Sequence, residues 1–363
     1  MLSILSISRR SFAQSLLAAG ALLAVPGVLS ATAAHADGGK ETRTVDTDKG
    51  PVEIPVDPQA IVSDYYLGEL LALDTKPIIA SPYALNNPFL EGMTDGIEAL
   101  NTSSAETSLE MIAEKQPDLI ITITEADYDK YSQIAPTVYI EDGKRTDEEL
   151  FLYIADLLGK TDEAQAYLDE FNQKVEDAKD EINQIVGDRT VSIVEVWPQQ
   201  VYVMGDKFAR GGTILFDMWG LKAPQKVEEE LIEGDNQYEV VSMEALPDYV
   251  GDFILYGVLD GADDAFVEDS MMWQNLDAVK EGRVLPYEQI AYMHRDPITL
   301  SGQLEDFLEF FRGVAEAEGI EVEASGDKDS KDSGDDAKVD ASKDGAKASD
   351  ASKDDAKKDE AKQ

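Results

Sequence analysis

The organisation of this 363-residue chain turns on one long amphipathic segment, from Asp162 to Val186, which reads DEAQAYLDEFNQKVEDAKDEINQIV. Its apolar residues recur at alternating steps of four and three, a spacing that places them on one face of an α-helix. These residues are Ala164, Leu168, Phe171, Val175, Ala178, Ile182 and Ile185. The helix would extend about 37 Å at ~1.5 Å per residue, and Gly187 is suited to end it. A helix of this length predicts a stiff bridge between two folded regions.

Both flanks of the predicted bridge alternate strand-like apolar runs with helical segments. Before the bridge, these strands and helices are predicted at 60–63, 65–73, 77–80, 108–115, 119–123 and 137–140. After it, the pattern restarts at 191–196, 201–204 and 213–219. Such alternation is typical of α/β folds with parallel sheets. The predicted fold class is therefore α/β, with two Rossmann-like lobes joined by a single long helix.

A short internal repeat supports two related lobes. Ser108-Leu109-Glu110 precedes an apolar run that opens with Asp118, and Ser242-Met243-Glu244 precedes one that opens with Asp252. The spacing from Glu to Asp is 8 residues in both copies. We therefore expect a capped helix that leads into a buried strand at the same point of each lobe. The stretch 107–110 is also a capping-box pattern, which gives Glu110 an alternative, purely local role.

The two ends of the chain are predicted to lie outside the fold. Residues 1–36 contain Arg9 and Arg10, then an Ala/Leu/Val-rich run and a small-residue cleavage site, the pattern of an export signal. The twin-arginine type fits best, and a general secretory signal is the alternative. Residues 325–363 are rich in Asp, Lys, Ala, Ser and Gly and have no aromatic residue, which predicts a disordered spacer or, less simply, a helical Ala/Lys tract. The predicted divisions between these ends are a first lobe, a linker with the long helix, and a second lobe, at 37–145, 146–187 and 188–324.

Composition excludes several classes of function. The chain has 31 Lys and Arg against 74 Asp and Glu, a formal charge of −43, which argues against binding to nucleic acid or anionic lipid. There is no cysteine, so disulfides, thiolate metal sites, a Cys nucleophile and a lipid anchor on Cys are all excluded. With two histidines, one of them inside the export signal, no metal site is predicted. No nucleophile elbow, P-loop or dinucleotide fingerprint occurs, so we expect a non-enzymatic protein. Two lobes on a stiff bridge instead predict a cleft for a small ligand.

The body of the chain resembles the substrate-binding proteins of iron–siderophore ABC importers, and within them the ferric-hydroxamate (ferrioxamine and ferrichrome) branch. The matching stretches occur in family order over roughly residues 45–320. They are SDYYLGELL (63–71), NPFL (87–90), QPDLI (116–120), IAPTV (134–138), RGG (210–212), GLKAP (220–224), WQNLDAV (273–279) and DPIT (296–299). The resemblance implies the helical-backbone (class III) periplasmic-binding-protein fold, which agrees with the pattern above.

The resemblance also implies a ligand site. Arg210 matches an arginine that contacts the ligand, and a guanidinium suits the paired oxygens of a metal-bound hydroxamate; a surface ion pair is its alternative. Tyr202 and Phe208 match pocket positions of the family, and Tyr292 and His294 fall where the family has a cluster of aromatic residues before Asp-Pro. Trp197 is a nearby candidate, and Tyr83 and Tyr66 are weaker candidates in the first lobe. A role in the core is the alternative for each aromatic ring. His294 stands where the family usually has an aromatic residue, and Asp142 where it often has a pocket tyrosine.

Partners follow from the same resemblance and from charge. Glu110 and Glu244 match the glutamates that dock onto arginines of the permease, where opposite charges set orientation. A ferric catecholate is strongly anionic whereas a ferric hydroxamate is neutral or cationic, so the acidic body favours the hydroxamate. We expect a monomeric, cofactor-free receptor, exported to the periplasm or cell surface without a Cys-linked lipid, that passes a ferric hydroxamate siderophore to an ABC permease. Receptors for cobalamin, haem or a ferric catecholate are the alternatives, and an envelope enzyme on this scaffold is a more distant one.

Overall fold

The structure, a computed structural model, describes residues 41–103, 105–234 and 236–322. The predicted export signal (1–36) and the predicted tail (325–363) lie outside these described residues. None of the helices in the described ranges combines the length and the apolar character that a membrane crossing requires.

The first lobe is built on a five-stranded parallel sheet with strand order β5-β4-β3-β6-β7. A two-stranded antiparallel hairpin precedes this sheet. The strands are β1 (Thr42–Thr47), β2 (Gly50–Pro55), β3 (Ile61–Ser63), β4 (Ile79–Ala80), β5 (Glu98–Ala99), β6 (Leu119–Thr122) and β7 (Thr137–Tyr139). The helices are α1 (Leu67–Ala72), α2 (Pro82–Leu85), α3 (Ala105–Lys115) and α4 (Tyr128–Tyr131).

Two helices connect the lobes, α5 (Asp147–Leu158) and the long α6 (Thr161–Val186). The predicted bridge is confirmed as α6, and all seven residues of its predicted apolar face are buried. That face serves two cores, because Ala164 and Leu168 pack with the first lobe whereas the residues from Phe171 onward pack with the second. A single apolar face of α6 therefore packs into the hydrophobic cores of both lobes.

The second lobe contains a mixed five-stranded sheet with strand order β10-β9-β8-β11-β12. Strands β8, β11 and β12 are parallel, whereas β9 pairs antiparallel with both β8 and β10. The strands are β8 (Val191–Trp197), β9 (Gln200–Met204), β10 (Tyr238–Val241), β11 (Phe253–Val258) and β12 (Val284–Glu288). The helices are α7 (Gln225–Val227), α8 (Ala265–Glu268), α9 (Met271–Gln274), α10 (Asp277–Lys280), α11 (Gln289–Tyr292) and α12 (Pro297–Glu318). The predicted helix at 213–219 is a π-helical stretch at Thr213–Met218.

Helix α12 adds a contact between the lobes that the sequence patterns did not indicate. Asp296 caps its N-terminus, because its carboxylate accepts hydrogen bonds from the backbone N–H groups of Ile298 (3.1 Å) and Thr299 (3.0 Å). Helix α12 packs along α6 and also contacts α1 of the first lobe. At that contact Gly68 leaves no room for a side chain, since a Cβ there would overlap the Asp296 carboxylate. The first lobe is therefore held by α12 as well as by the bridge.

The aspartates of the internal repeat occupy equivalent places, but the helices predicted before them do not. The Asp118 carboxylate accepts the backbone N–H of Ala60, just before β3, at 2.9 Å. The Asp252 carboxylate likewise accepts the backbone N–H of Thr190, just before β8, at 2.8 Å. The expectation of a capped helix in both lobes is wrong, because residues 242–248 form a turn and a short 3₁₀ segment. The capping-box interpretation of 107–110 is also wrong, since α3 already begins at Ala105.

Candidate ligand-binding cleft

A cleft of about 960 Å³ lies between the two lobes and reaches the bridging helix. The first lobe and the linker supply Tyr65 and residues 142–149, and α6 supplies Tyr167, Leu168 and Phe171. The second lobe supplies residues 207–210 and Gln237, and the segment that leads into α12 adds Met293 and Arg295. Both lobes, the bridging helix and the start of α12 therefore contribute to this cleft.

Four residues form one row across the sheet of the second lobe, and this row contains the carboxylate that pairs with Arg210. Strand register places Tyr202, Glu195, Gly257 and Tyr287 side by side on β9, β8, β11 and β12. Gly257 is required in the middle of this row, because a Cβ there would overlap the Tyr287 ring. The Tyr287 hydroxyl can therefore reach across the glycine and donate to Glu195 Oε1 at 3.1 Å.

Glu195 holds Arg210 in a buried ion pair at the cleft. Arg210 donates from Nε to Glu195 Oε1 (2.9 Å) and from Nη2 to Glu195 Oε2 (3.2 Å). Trp197 Nε1 donates to Glu195 Oε2 at 3.0 Å, so the carboxylate accepts four hydrogen bonds in total. A buried carboxylate needs such partners to offset its lost hydration. The arginine is consequently fixed in position before any ligand arrives.

The backbone around Arg210 forms a turn in the left-handed region, which is uncommon for residues other than glycine. Ala209, Arg210 and Gly211 all have positive φ angles, of 58°, 60° and 79°. A Cβ at Gly211 would overlap the Phe307 ring, and one at Gly212 would lie 2.5 Å from the Asp206 carbonyl oxygen. The two glycines therefore let the turn pack closely against the lobe.

An aromatic wall extends from the arginine along the second lobe. Ring centroids are 5.0 Å apart for Trp197 and Tyr202, 5.8 Å for Tyr202 and Tyr238, and 5.3 Å for Tyr238 and Phe208. The Arg210 guanidinium carbon lies 4.9 Å from the centroid of Phe208. These separations are typical of interacting rings and of cation–π contacts. The wall is thus a continuous apolar surface that ends at a cationic group.

Every basic side chain that lines the cleft has a carboxylate partner. The pairs are Lys144–Asp48 (2.7 Å), Arg145–Asp48 (2.7 Å), Lys207–Asp206 (3.2 Å), Arg210–Glu195 (2.9 Å) and Arg295–Asp147 (3.3 Å). Hydrogen bonds from Arg145 hold the pKa of the Asp48 carboxyl well below its usual range. Within the part of the chain that the structure describes, the cleft therefore offers no unpaired positive charge.

The sequence-predicted ligand residues fall into three groups. Arg210 and Phe208 line the cleft, and Trp197 and Tyr202 belong to the aromatic wall beside it. Tyr292 is only 1% exposed and donates its hydroxyl to Asp306 (2.7 Å), so its ring belongs to the core and we do not retain it as a ligand contact. Burial raises the pKa of the Tyr292 hydroxyl.

Tyr83, His294 and Tyr66 show three other environments. Tyr83 is 63% exposed on α2 and is outside the residues that line the cleft. Tyr66 is buried in the first-lobe core. His294 is buried, its Nε2 has no hydrogen-bond partner, and its ring lies 5.6 Å from the Tyr65 ring. Burial lowers the pKa of the His294 imidazole, with Asp296 opposing this effect and Arg210 adding to it, so the neutral form is favoured near pH 7.

The two predicted docking glutamates lie on the surface. Glu110 is exposed on α3, and Glu244 is exposed in the turn that follows β10. Neither carboxylate has a hydrogen-bond or ion-pair partner among the described residues. Both are therefore free to meet a partner molecule.

Sequence reasoning missed Glu195, Tyr65 and Tyr238. Glu195 did carry a signal, because it is the one charged residue inside the apolar run 191–197 and such a residue needs a buried partner. Tyr238 stands in a polar stretch with no distinguishing pattern. No group of three or more His, Cys, Asp or Glu in the described ranges is placed to hold a metal ion.

The fold and the cleft define a class of protein, a two-lobed receptor that encloses a small ligand beside a helical bridge. The sequence profile of the family described as "Periplasmic binding protein" matches residues 60–291. The iron(3+)-hydroxamate-binding protein FhuD of Bacillus subtilis (strain 168) is 37% identical over 272 residues, which are 74% of this chain and 85% of that protein. The chain therefore belongs to the periplasmic binding protein family.

Solved structures show the same relationship. A FhuD fold-family periplasmic binding protein component of a Fep/Fec-like ferrichrome ABC transporter from Bacillus subtilis is similar with a TM-score of 0.69 and 35% identity, covering 74% of this chain and 99% of that one. FhuD2 from Staphylococcus aureus with bound ferrioxamine B is similar with a TM-score of 0.64 and 27% identity, covering 71% of this chain and 100% of that one. The predicted two-lobed α/β fold with one long bridging helix is confirmed.

Proposed function

We propose that this protein is the extracytoplasmic substrate-binding protein of an ABC importer and that it captures a ferric hydroxamate siderophore. The observation that carries the proposal is the hydrogen bonding of the Arg210 guanidinium. A guanidinium has five N–H donors. Arg210 uses three of them, two toward Glu195 and one toward the Phe208 carbonyl oxygen (3.2 Å). Two donors remain for the oxygens of a hydroxamate at a fixed place in the cleft.

Charge supports a hydroxamate rather than a catecholate. A strongly anionic ligand would need unpaired cations to replace its lost hydration. The five basic side chains of the cleft are all paired with carboxylates. A neutral or cationic iron chelate avoids this penalty, since it brings no net negative charge into the cleft.

The apolar part of the site supports a ligand with hydrocarbon chains. The Phe208 ring lies against the Arg210 guanidinium, and Trp197 and Tyr202 belong to the same aromatic wall. Rings of this kind cover methylene groups and exclude water from the polar contacts. The relatives fit the same chemistry, since one is named as an iron(3+)-hydroxamate-binding protein and another was solved with ferrioxamine B.

A fluorescence titration tests the proposal. The protein is titrated with ferrioxamine B, ferrichrome and a ferric catecholate, and quenching of tryptophan emission is followed. We expect saturable quenching by a hydroxamate at micromolar concentration and none by the catecholate. A Trp197→Phe variant is the control that attributes the signal to the site. The absence of quenching by both hydroxamates, confirmed by calorimetry, would contradict the proposal.

We extend the proposal to delivery of the ligand. Glu110 and Glu244, exposed and unpaired among the described residues, would dock onto basic residues of the permease, one glutamate on each lobe. Opposite charges across such an interface steer the encounter and fix the orientation. The receptor would act as a monomer and without catalysis.

The proposed location is outside the cytoplasm. The sequence contains no cysteine, and the proposal is therefore export to the periplasm or cell surface without a Cys-linked lipid. The predicted export signal supplies the route. Cell fractionation with and without residues 1–36 tests this assignment, and we expect the truncated protein to stay in the cytoplasm.

A further inference from the structure

We propose that Tyr238 and Val240, on strand β10, form the outer half of the ligand wall and select for ferric hydroxamates with long apolar connecting chains. This inference rests on the proposed function and assigns a role to two residues that sequence patterns do not indicate. It concerns the organic backbone of the siderophore rather than its iron centre.

Strand β10 presents these side chains on the face that holds the arginine pair. Register places Val240 opposite Tyr202 on β9, and Tyr202 opposite Glu195 on β8. Side chains directly opposite each other in antiparallel strands lie on the same face of a sheet, as do residues two apart in one strand. Val240 and Tyr238 therefore share the face on which Glu195 binds Arg210.

Ring contacts join Tyr238 to the predicted ligand residues. Its centroid lies 5.3 Å from that of Phe208 and 5.8 Å from that of Tyr202. The neighbouring Gln237 lines the cleft and accepts the backbone N–H of Lys207 through its side chain at 3.0 Å. The wall is thus continuous from the cleft to the edge of the sheet.

The exposure of these side chains indicates an apolar occupant. Tyr238 is 45% exposed and Val240 is 43% exposed, on a strand that has no neighbour on its outer side within the described sheet. Covering an apolar surface with a ligand is favourable, because it removes that surface from water. Because this surface begins at the residues that would bind the hydroxamate oxygens, the group that covers it is the hydrocarbon chain attached to them.

The experiment separates the chain of the ligand from its iron centre. Binding is measured for ferrioxamine B, whose hydroxamates are joined by long alkyl chains, and for the iron(III) tris-acetohydroxamate complex, which has the same oxygen donors and no connecting chain. Wild type is compared with Tyr238→Ala and Tyr238→Phe. Phe266→Ala is the matched control, because Phe266 is a 39% exposed ring on α8 of the same lobe.

We expect Tyr238→Ala to weaken ferrioxamine B binding about tenfold and to change binding of the acetohydroxamate complex by less than about twofold. Tyr238→Phe and Phe266→Ala should keep wild-type affinity for both ligands. Equal affinity of wild type and Tyr238→Ala for ferrioxamine B would overturn this inference and leave the proposed function standing. An equal loss of affinity for both ligands, or a loss of affinity in Tyr238→Phe, would also overturn this inference. Either result would mean that the apolar surface of the ring does not select for the connecting chain of the ligand. A wild-type protein that binds neither complex would overturn the proposed function as well.

Discussion

Glu195 and Arg210 form a buried, two-pronged ion pair, with Nε to Oε1 at 2.9 Å and Nη2 to Oε2 at 3.2 Å. The acid lies inside strand β8 and the base in a turn 15 residues later. Removing one member of such a pair leaves an uncompensated charge, which commonly costs about 3–5 kcal/mol of stability. The pair therefore links the stability of the second lobe to the position of the guanidinium that we propose contacts the ligand.

Substitutions of Arg210 and Glu195 separate the effect of this pair on stability from its effect on ligand affinity. We expect Arg210→Ala to lower both the free energy of unfolding and the affinity for a ferric hydroxamate, the latter by roughly 1.5–3 kcal/mol, typical of hydrogen bonds to a charged group. In the double variant Glu195→Gln/Arg210→Ala, stability should partly recover because no buried charge is left unpaired, whereas affinity should remain low. Denaturant unfolding and ligand titration measure the two quantities.

Arg312→Ala is the control for the loss of an arginine, since Arg312 forms an exposed two-pronged pair with Glu181, between α12 and α6, outside the residues that line the cleft. Wild-type affinity in the Glu195→Gln/Arg210→Ala variant would show that Arg210 does not contact the ligand.

The turn that presents Arg210 should tolerate no side chain at Gly211. This glycine has φ of 79°, and a Cβ there would overlap the Phe307 ring. Gly211→Ala should therefore lower the free energy of unfolding by about 2–4 kcal/mol, from overpacking together with left-handed backbone strain. Gly313→Ala, in α12 with open space around its Cβ position, is the matched control and should be neutral or stabilising by up to ~1 kcal/mol. Equal stability of Gly211→Ala and wild type in denaturant unfolding would show that this turn is not packed as described.

Substitution of the two glutamates proposed to dock onto the permease should affect transport and not ligand binding. In cells that depend on the importer, Glu110→Ala/Glu244→Ala should reduce uptake of the ferric hydroxamate while the purified variant binds it with wild-type affinity, because both side chains are exposed and outside the cleft. A double variant of two other exposed glutamates, Glu163→Ala/Glu316→Ala, removes the same charge elsewhere. Equal uptake by the two double variants would refute the docking role.

The buried His294 should make the protein less stable in mild acid. Burial lowers the pKa of its imidazole in the folded state, with Arg210 acting in the same direction and Asp296 opposing it. As the pH falls below about 6.5, the imidazole becomes protonated in the unfolded chain while it stays neutral in the folded one. The free energy of unfolding therefore falls by at most ~1.4 kcal/mol per pH unit. The effect is isolated as the difference between wild type and His294→Gln in denaturant unfolding at several pH values. A constant difference between pH 7.5 and about 5 would contradict it.

Burial of carboxyl groups acts in the opposite direction in the same region. The pKa of Glu69 is raised by burial and by the nearby Asp296, so its protonation in acid favours the folded state. This opposing trend is present in wild type and in His294→Gln alike. The comparison of the two proteins is therefore needed, rather than the pH profile of either one alone.

The fold was largely readable from local patterns. The seven-residue apolar face of α6 needed only the helical repeat, because residues three and four apart are neighbours in a helix whatever surrounds it. The apolar runs became β3, β4, β6, β7, β8 and β9 for a similarly local reason. The helix expected at 242–244 did not form, which shows that a three-residue match between lobes does not specify backbone conformation.

The amino-acid sequence by itself determined the two α/β lobes, the bridging helix and the absence of thiol chemistry, and it indicated Arg210 with its glycines as a candidate ligand contact. Only the tertiary structure decided which groups surround that arginine. Glu195 and Tyr287 are 92 residues apart and meet because three strands align in one register around Gly257. The same packing buried Tyr292 and brought Tyr238 to the wall. The physical reason is that helical periodicity is set by neighbours along the chain, whereas strand register and the burial of single side chains are set by segments far apart in it.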